Sequence, residues 1–272
     1  MDIGKAAILG IVQGLTEFLP VSSSGHLVLG KYFLGLTEQG IEFEVFVHFG
    51  TLLAVVTIFW RDLVDLVKTF FSLFTPQFHK TGITRQYNRN TNFRLLVFLI
   101  VATIPAAVIG LLFEEDIVSA FQNPRFTCAM LLVTALLLFL TLFVKKADQS
   151  LKAKNTILMG FAQALAILPG ISRSGSTISV GLFLKVDGDT AARFSFLLAV
   201  PAILGATILK TADLLQAGID ANYFLALAVG MITAYVSGYL AIETLLGVVR
   251  RGKLYVFAPY CFIIGLLGLI LI

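Results

Sequence analysis

Two short polar stretches interrupt a largely apolar chain, and they hold most of the side chains that could carry out chemistry. The first runs from Gln13 through Glu17, Leu-Pro-Val and three serines to His26, and the second reads Pro-Gly-Ile-Ser-Arg173-Ser-Gly-Ser-Thr177. In the second stretch a guanidinium lies among hydroxyls and glycines, a set of donors that suits a phosphate group. A carboxylate, an imidazole and hydroxyls facing that set would provide the acid, base and nucleophile of phosphoryl chemistry.

The surroundings of Arg173 favour a functional role over that of a surface charge. Hydrophobic residues make up 58% of the 272 positions, charged residues 13%, and the mean hydropathy is +0.92. Soluble domains average about 45–50% apolar and about 25% charged residues, so the composition indicates a polytopic membrane protein. An arginine at a membrane-helix centre costs about 2.5–3.5 kcal/mol and is a functional hypothesis by default.

The apolar pattern predicts an all-α polytopic membrane protein with six transmembrane helices and two re-entrant helical hairpins. A crossing takes about 17–25 apolar residues. Six stretches reach or approach that length: Phe43–Trp60, Leu95–Phe113, Phe126–Val144, Phe194–Leu209, Tyr223–Val249 and Tyr255–Ile272. Two other regions, Ile3–Leu29 and Ile157–Leu184, are apolar but interrupted, and each predicts two short helices joined by a polar turn. Irregular backbone at membrane depth is tolerated only where it is buried in protein or lines a watery cavity, so we interpret both as re-entrant hairpins.

The two broken regions resemble each other at an offset of 150 residues, which indicates an internal repeat. The matching pairs are Gly10/Gly160, Gln13/Gln163, Leu15/Leu165, Ser22/Ser172, Ser24/Ser174 and Gly25/Gly175. Chance similarity in apolar sequence is the alternative. Interrupted segments in corresponding places of two halves point to a site at the repeat interface. We therefore expect one integral membrane domain, 1–272, with halves of about 1–144 and 155–272 joined by a basic cytoplasmic linker.

Loop charge predicts the orientation of these halves. The connections 61–94, 145–154, 185–193 and 250–253 contain 15 of the 20 basic residues. With six crossings and two hairpins they all lie on one side, which the positive-inside rule makes cytoplasmic. Both termini then lie on the outer side. Because each half contains three crossings, the halves are inverted, and the two hairpin tips are expected to meet near the membrane midplane.

A structural role is an alternative for several of these residues taken singly. Glu17 and His26 could be satisfied helix contacts, and Ser22–Ser24 could bond only to backbone. Arg173 is the residue that a purely structural role explains least well. Glu44 and His48 share one helical face and are expected to pair internally, with Glu44 the better candidate for lining a cavity, while His79 is expected to be a solvated surface residue.

The two polar motifs resemble those of the undecaprenyl-pyrophosphate phosphatase family, also called bacitracin-resistance proteins. The segments Phe43-Glu44 and Phe-Ser-Phe-Leu-Leu-Ala-Val-Pro201 resemble further family segments, so the likeness covers essentially the whole chain. The resemblance implies a hydrolase of the bacterial plasma (inner) membrane that converts undecaprenyl pyrophosphate to the monophosphate, the lipid carrier for peptidoglycan. It also implies an inverted-repeat fold and a homodimer, and no nucleic acid partner is expected.

The resemblance also implies roles for individual residues, with the nucleophile left open between His26, Ser23 and water. Catalytic positions are Glu17, His26, Ser23 and Arg173, and phosphate-binding positions are Ser22, Ser172, Ser174 and Thr177. A divalent cation, Mg²⁺ or Ca²⁺, is implied at Glu17 and Gln13. Many family members carry a glutamate where Gln13 stands, and an amide is a weaker cation ligand, so the cation is expected to arrive with the pyrophosphate.

Three other functions compete with this interpretation, and the first of them fails. Another class of lipid phosphatase has similar Ser-Gly-His and Ser-Arg motifs, but its second histidine would follow the arginine by six residues, where this chain has Ser179. A transporter of an anionic lipid or solute fits inverted repeats and broken helices. A purely structural protein leaves Arg173 unexplained.

Overall fold

The computed structural model describes residues 2–33, 41–76, 78, 82–144, 147–217 and 221–272, and these residues form a bundle of helices. Within them the only pairing of extended backbone is an isolated parallel bridge between Gln149 and Val186. The α-helices in chain order are α1 Ile3–Phe18, α2 Ser23–Phe33, α3 Ile41–Ile58, α4 Trp60–Ser72, α5 Ile83–Arg89, α6 Thr91–Leu112, α7 Glu114–Phe121, α8 Pro124–Leu140, α9 Ala153–Leu165, α10 Arg173–Phe183, α11 Gly188–Ala217, α12 Ala221–Arg250 and α13 Ala258–Leu271. Short 3₁₀ helices, Thr141–Phe143 and Leu254–Phe257, follow α8 and precede α13.

Several of these helices are long and apolar enough to cross a membrane. Four satisfy both criteria among the described residues: Thr91–Leu112, Pro124–Phe143, Tyr223–Arg250 and Leu254–Leu271. The bent pair of α3 and α4 makes a fifth if it is counted as one span. The structure therefore confirms the all-helical, multi-span class of protein that the composition predicts.

The region after α3 differs from the expected basic loop. The predicted crossing ends at Trp60, but α3 ends at Ile58 and the chain turns by 87° into α4. Helix α4 is amphipathic. Val67, Phe70 and Phe71 are exposed and lie three and four positions apart, so they share one apolar face, which suits a helix lying along a surface. Helix α5 adds a second helical stretch, and His79 lies outside the described residues.

Small residues let the first helix of each broken region pack closely against a long helix of the other half. Helix α1 lies along α12, where a Cβ on Gly10 would collide with the backbone at Gly230. Helix α9 lies along α6, where a Cβ on Gly160 would stand 2.6 Å from the carbonyl oxygen of Ala102. Gly10 and Gly160 are one of the pairs related by the 150-residue offset, and each permits the corresponding helix contact.

An aromatic core lies directly beside the polar turns. Phe18, at the end of α1, and Phe59, after α3, both pack against Phe196 of α11, with ring centroids 5.8 and 5.7 Å apart. Phe18 and Phe196 are fully buried. Because Phe18 follows Glu17 and Phe196 follows Ser195, this core holds α1 and α11 at the place where their polar side chains converge.

Candidate active site

The chain between α1 and α2 (residues 19–22, the first turn) contacts the chain between α9 and α10 (residues 166–172, the second turn). An ion pair joins the helices beside them. An Nη atom of Arg173, the first residue of α10, lies 2.7 Å from Oε1 of Glu17, near the end of α1. The two side chains are 16% and 8% exposed. A buried pair of this kind needs further hydrogen bonds to offset the loss of hydration, so the neighbours of each partner define the site.

Both turns begin their second helix in the same way. The hydroxyl of Ser22 accepts from the amide of Gly25 at 3.2 Å, and the hydroxyl of Ser172 accepts from the amide of Gly175 at 3.1 Å. These are N-cap bonds, which satisfy the free amides of a helix start. The positive ends of α2 and α10 thus lie at the two touching turns, an arrangement that favours an anion.

Close approach between the turns explains the glycines within them. A Cβ on Gly25 would stand 3.3 Å from the Cα of Gly170, and a Cβ on Gly175 would stand 3.2 Å from the Cβ of Pro20. Gly170 also has a φ of +94° and lies against the backbone of Thr127. A larger residue at Gly170 would meet both strain and a clash.

Glu17 is surrounded by polar side chains from the first half of the chain. Its Oε2 accepts from the hydroxyl of Ser23 at 2.6 Å and from the amide nitrogen of Gln13 at 3.0 Å. Nε2 of His48 lies 3.9 Å from the same oxygen. The short bond from Ser23 places a potential nucleophile and a potential base in direct contact.

His48 corrects one expectation from the sequence, which favoured Glu44 over His48 and internal pairing for both. The histidine ring does donate through Nδ1 to the backbone oxygen of Glu44 at 2.7 Å. Its other nitrogen, however, faces Glu17. The i to i+4 spacing of Glu44 and His48 was visible, but the direction of the ring depends on how α3 packs on α1.

Arg173 has a second partner in Ser195, a residue that sequence reasoning did not single out. The second Nη atom of Arg173 donates to the backbone oxygen of Ser195 at 3.3 Å. The hydroxyl of Ser195 lies 2.5 Å from the hydroxyl of Thr177, one helical turn after Arg173. The signal available was the Phe-Ser-Phe motif, which supported the family resemblance without indicating a role for its serine.

Thr134 of α8 stabilises the second turn through hydrogen bonds to its backbone. Its hydroxyl donates to the backbone oxygen of Gly170 at 2.8 Å and accepts from the amide of Ser172 at 3.0 Å. The residue is fully buried. One side chain therefore fixes two points of the backbone that leads into Arg173.

The hydroxyls expected to bind phosphate are buried and bonded within the protein. Ser172 and Ser174 lie 3.3 Å apart through their oxygens, and the Ser174 hydroxyl donates to the backbone oxygen of Leu19 at 3.4 Å. The Thr177 hydroxyl contacts the backbone oxygen of Arg173 at 2.8 Å as well as Ser195. In this structure these groups shape the turn and join it to its neighbour.

His26 lies on the more open side of the first turn. Its Nδ1 is 2.8 Å from the backbone oxygen of Ser22, and its Nε2 is 2.7 Å from the hydroxyl of Tyr260 in α13. Tyr260 is 43% exposed. The structure thus joins Gln13, Glu17, Ser23 and Arg173 in one connected cluster, with His26 on a separate branch that begins at the adjacent Ser22.

The residues present fit a divalent cation only with ligands from outside the protein. Among the described residues, no three His, Cys, Asp or Glu side chains converge as they would at a site made of protein alone. The amide oxygen of Gln13 is nevertheless buried without a hydrogen-bond partner, because the amide nitrogen is the atom that donates to Glu17. A free carbonyl oxygen beside a carboxylate matches the oxygen ligands that Mg²⁺ and Ca²⁺ prefer.

Comparison with known proteins places the whole chain in one group. Residues 6–267 match the family model of Bacitracin resistance protein BacA. A protein of Salinibacter ruber named undecaprenyl-diphosphatase is 47% identical over 268 residues, which cover 97% of each chain. Proteins of the same name from Halothermothrix orenii and Methanobrevibacter smithii are 43% and 40% identical, over 100% and 98% of this chain and 98% and 96% of theirs.

Proposed function

The chain belongs to the bacitracin resistance protein BacA family, and from that premise we propose that it acts as an undecaprenyl-diphosphatase. It hydrolyses undecaprenyl pyrophosphate to undecaprenyl phosphate and inorganic phosphate. The monophosphate is the lipid carrier that peptidoglycan synthesis reuses, and its recycling confers bacitracin resistance. The observation that carries the proposal is the buried contact between Arg173 and Glu17. It places an anion-binding guanidinium beside a carboxylate that accepts a hydrogen bond from the Ser23 hydroxyl.

We assign Arg173 to binding and neutralising the terminal phosphate. A guanidinium has five N–H donors, and two of its nitrogens are bonded to Glu17 and Ser195, so further donors remain for phosphate oxygens. The helix starts at Ser22 and Ser172 add positive potential at the same place. Ser22, Ser172, Ser174 and Thr177 are proposed to contribute to substrate binding through the turns that they build.

We assign Glu17 and Ser23 to the bond-breaking step. Glu17 accepts the proton of the Ser23 hydroxyl while that oxygen attacks the terminal phosphorus, and undecaprenyl phosphate leaves. Water then hydrolyses the phosphoserine and restores Ser23. The 2.6 Å bond between Ser23 and Glu17 supports this assignment, and a water activated by Glu17 or direct attack by His26 are the alternatives. His26, on the more open side of the first turn, is proposed as a general acid and base in the reaction.

A divalent cation is proposed as the cofactor of this reaction. Gln13 and Glu17 would hold it together with oxygens of the pyrophosphate. It would supply positive charge to the phosphate group. The supporting observation in this chain is the unpaired, buried amide oxygen of Gln13 beside Glu17.

We propose a six-crossing topology in the bacterial plasma membrane. The crossings are α3, α6, α8, α11, α12 and α13, and the pairs α1–α2 and α9–α10 are re-entrant hairpins. The equivalent packing of α1 on α12 and of α9 on α6 supports an inverted repeat. The distribution of basic residues supports placing both termini on the outer side, and a homodimer is proposed from the family resemblance alone.

Phosphate release by the purified protein tests the function. We expect the wild-type protein to release inorganic phosphate from a C55 or C15 polyprenyl pyrophosphate in the presence of Mg²⁺, and Arg173→Ala to lose nearly all of that activity. Arg125→Ala is the matched control, because within the described part of the chain Arg125 donates to the backbone oxygen of Ile272 and not to the site. Substrate flux across vesicles without phosphate release would instead indicate a transporter.

A further inference from the structure

The phenol of Tyr260 is the one side chain bonded to Nε2 of His26 among the described residues. Tyr260 lies in the first turn of α13, and 234 positions separate it from His26 in the chain. The oxygen-to-nitrogen distance is 2.7 Å, and the two ring planes differ by 4°. The short distance and the matched planes indicate a directed hydrogen bond rather than a casual surface contact.

The direction of this bond follows from the other nitrogen of the ring. Nδ1 of His26 faces the backbone oxygen of Ser22 at 2.8 Å, and a carbonyl oxygen only accepts hydrogen bonds. Nδ1 therefore carries the proton in the neutral ring, and Nε2 presents a lone pair. The hydroxyl of Tyr260 must then donate to Nε2, so the tyrosine and the Ser22 carbonyl together select one tautomer.

The position of Tyr260 relative to the first turn is itself held by packing. The next residue, Cys261, is buried, and its Sγ lies 3.6 Å from the backbone oxygen of Pro20. The start of α13 thus contacts the first turn at both Pro20 and His26. Tyr260 itself is partly exposed, so the pair borders the open side of the turn, where a substrate would approach.

We propose that Tyr260 is a positioning residue of the phosphatase site that acts through His26. This inference rests on the proposed function. A phenol can both donate and accept, so after Nε2 takes a proton the hydroxyl rotates and accepts from it. The pair stays bonded in both protonation states of His26, and the ring keeps its orientation and its tautomer. A phenylalanine would fill the same space without either bond.

Steady-state kinetics of phosphate release provide the first test. We expect Tyr260→Phe to lower kcat about five- to fifteenfold and to change KM less than about twofold, because the lost bond acts on the chemical step. Tyr255→Phe, which removes a phenol from the neighbouring 3₁₀ helix, should behave as the wild type. In a His26→Asn background, Tyr260→Phe should cause no further loss. An equal loss in that background, or a Tyr260→Phe enzyme indistinguishable from Tyr255→Phe, overturns the proposal.

Chemical labelling of His26 provides a second test that does not depend on activity. Diethyl pyrocarbonate reacts with an unprotonated imidazole nitrogen, and mass spectrometry measures the modified His26 peptide. Removing the hydrogen bond in Tyr260→Phe should speed labelling of His26 severalfold, while Tyr255→Phe should match the wild type. An unchanged labelling rate in Tyr260→Phe contradicts the proposed bond. A wild-type protein that releases no phosphate contradicts the proposed function instead, whatever the labelling result.

Discussion

Oε1 of Glu17 and an Nη atom of Arg173 lie 2.7 Å apart, although 156 residues separate them in the chain. The two residues come from different helix–turn–helix units, and each would be a costly buried charge without the other. Replacing either residue is therefore expected to change both the stability of the two turns and the net charge of the proposed active site.

Neutralising Glu17 is expected to impair both activity and stability. Glu17→Gln keeps the side-chain shape but leaves Arg173 without a counter-charge and Ser23 without a basic acceptor. We expect kcat/KM for phosphate release to fall by about 10²–10⁴-fold and the free energy of unfolding to fall by about 3–5 kcal/mol. Thermal unfolding in detergent measures the second effect.

Asp62→Asn is the control for this variant. It breaks the more exposed ion pair between Asp62 and Arg193, outside the site. Exposed pairs contribute about 0–1 kcal/mol, so a small change in stability and near wild-type activity are expected. If Glu17→Gln lost stability but kept as much activity as Asp62→Asn, Glu17 would serve only as a structural ion pair.

Ser23 is expected to be essential in a way that its neighbour Ser24 is not. Ser23→Ala removes the hydroxyl bonded to Glu17, and a lost nucleophile should reduce kcat by at least about 10³-fold. Ser24 bonds to Ser22 at 3.2 Å, so Ser24→Ala should lose only a few-fold in activity. If Ser23→Ala retained more than about a tenth of wild-type kcat, attack by water or His26 would be favoured.

Thr134 is expected to control the shape of the Arg173 turn. Thr134→Val has nearly the same volume but leaves the backbone oxygen of Gly170 and the amide of Ser172 without this partner. Loss of two buried hydrogen bonds should cost about 2–3 kcal/mol of unfolding free energy and lower kcat/KM.

Two further threonine variants give this prediction its controls. Thr134→Ser keeps the hydroxyl and should retain most of the stability. Thr103→Val removes a hydroxyl that, among the described residues, bonds to the Leu99 carbonyl of its own helix, so it should change stability little. A Thr134→Val protein as stable and active as Thr103→Val would contradict the bracing role.

Gln13 is expected to set the requirement for the divalent cation. Chelation should abolish phosphate release, and added Mg²⁺ should restore it. Gln13→Leu removes the unpaired amide oxygen and should raise the Mg²⁺ concentration for half-maximal activity roughly tenfold. Gln163→Leu is the matched control, because Gln163 is also a buried amide and stands at the equivalent place 150 residues later. A shift of the same size in Gln163→Leu would mean that Gln13 does not hold the cation.

Much of the overall plan could be predicted because it depends on local sequence. Apolar run length indicated a multi-span helical protein, and the Pro- and Gly-containing interruptions indicated the two helix–turn–helix units. The 150-residue offset paired Ser22 with Ser172, and these two serines make equivalent N-cap bonds. The 87° bend into α4 was missed, because the length of the apolar run alone does not show where a helix changes direction.

The sequence by itself determined which side chains are available for chemistry, since an arginine, a glutamate and clustered hydroxyls within apolar surroundings mark a site wherever the chain folds. It also predicted that the two turns meet, and the contact of Glu17 with Arg173 confirms this. Only the tertiary structure showed which residues contact and position that site, because these residues come from four helices that are distant along the chain: His48, Thr134, Ser195 and Tyr260. Their roles depend on helix packing and side-chain direction, which arise from contacts spread over the whole bundle and leave no signature in the spacing of the residues themselves.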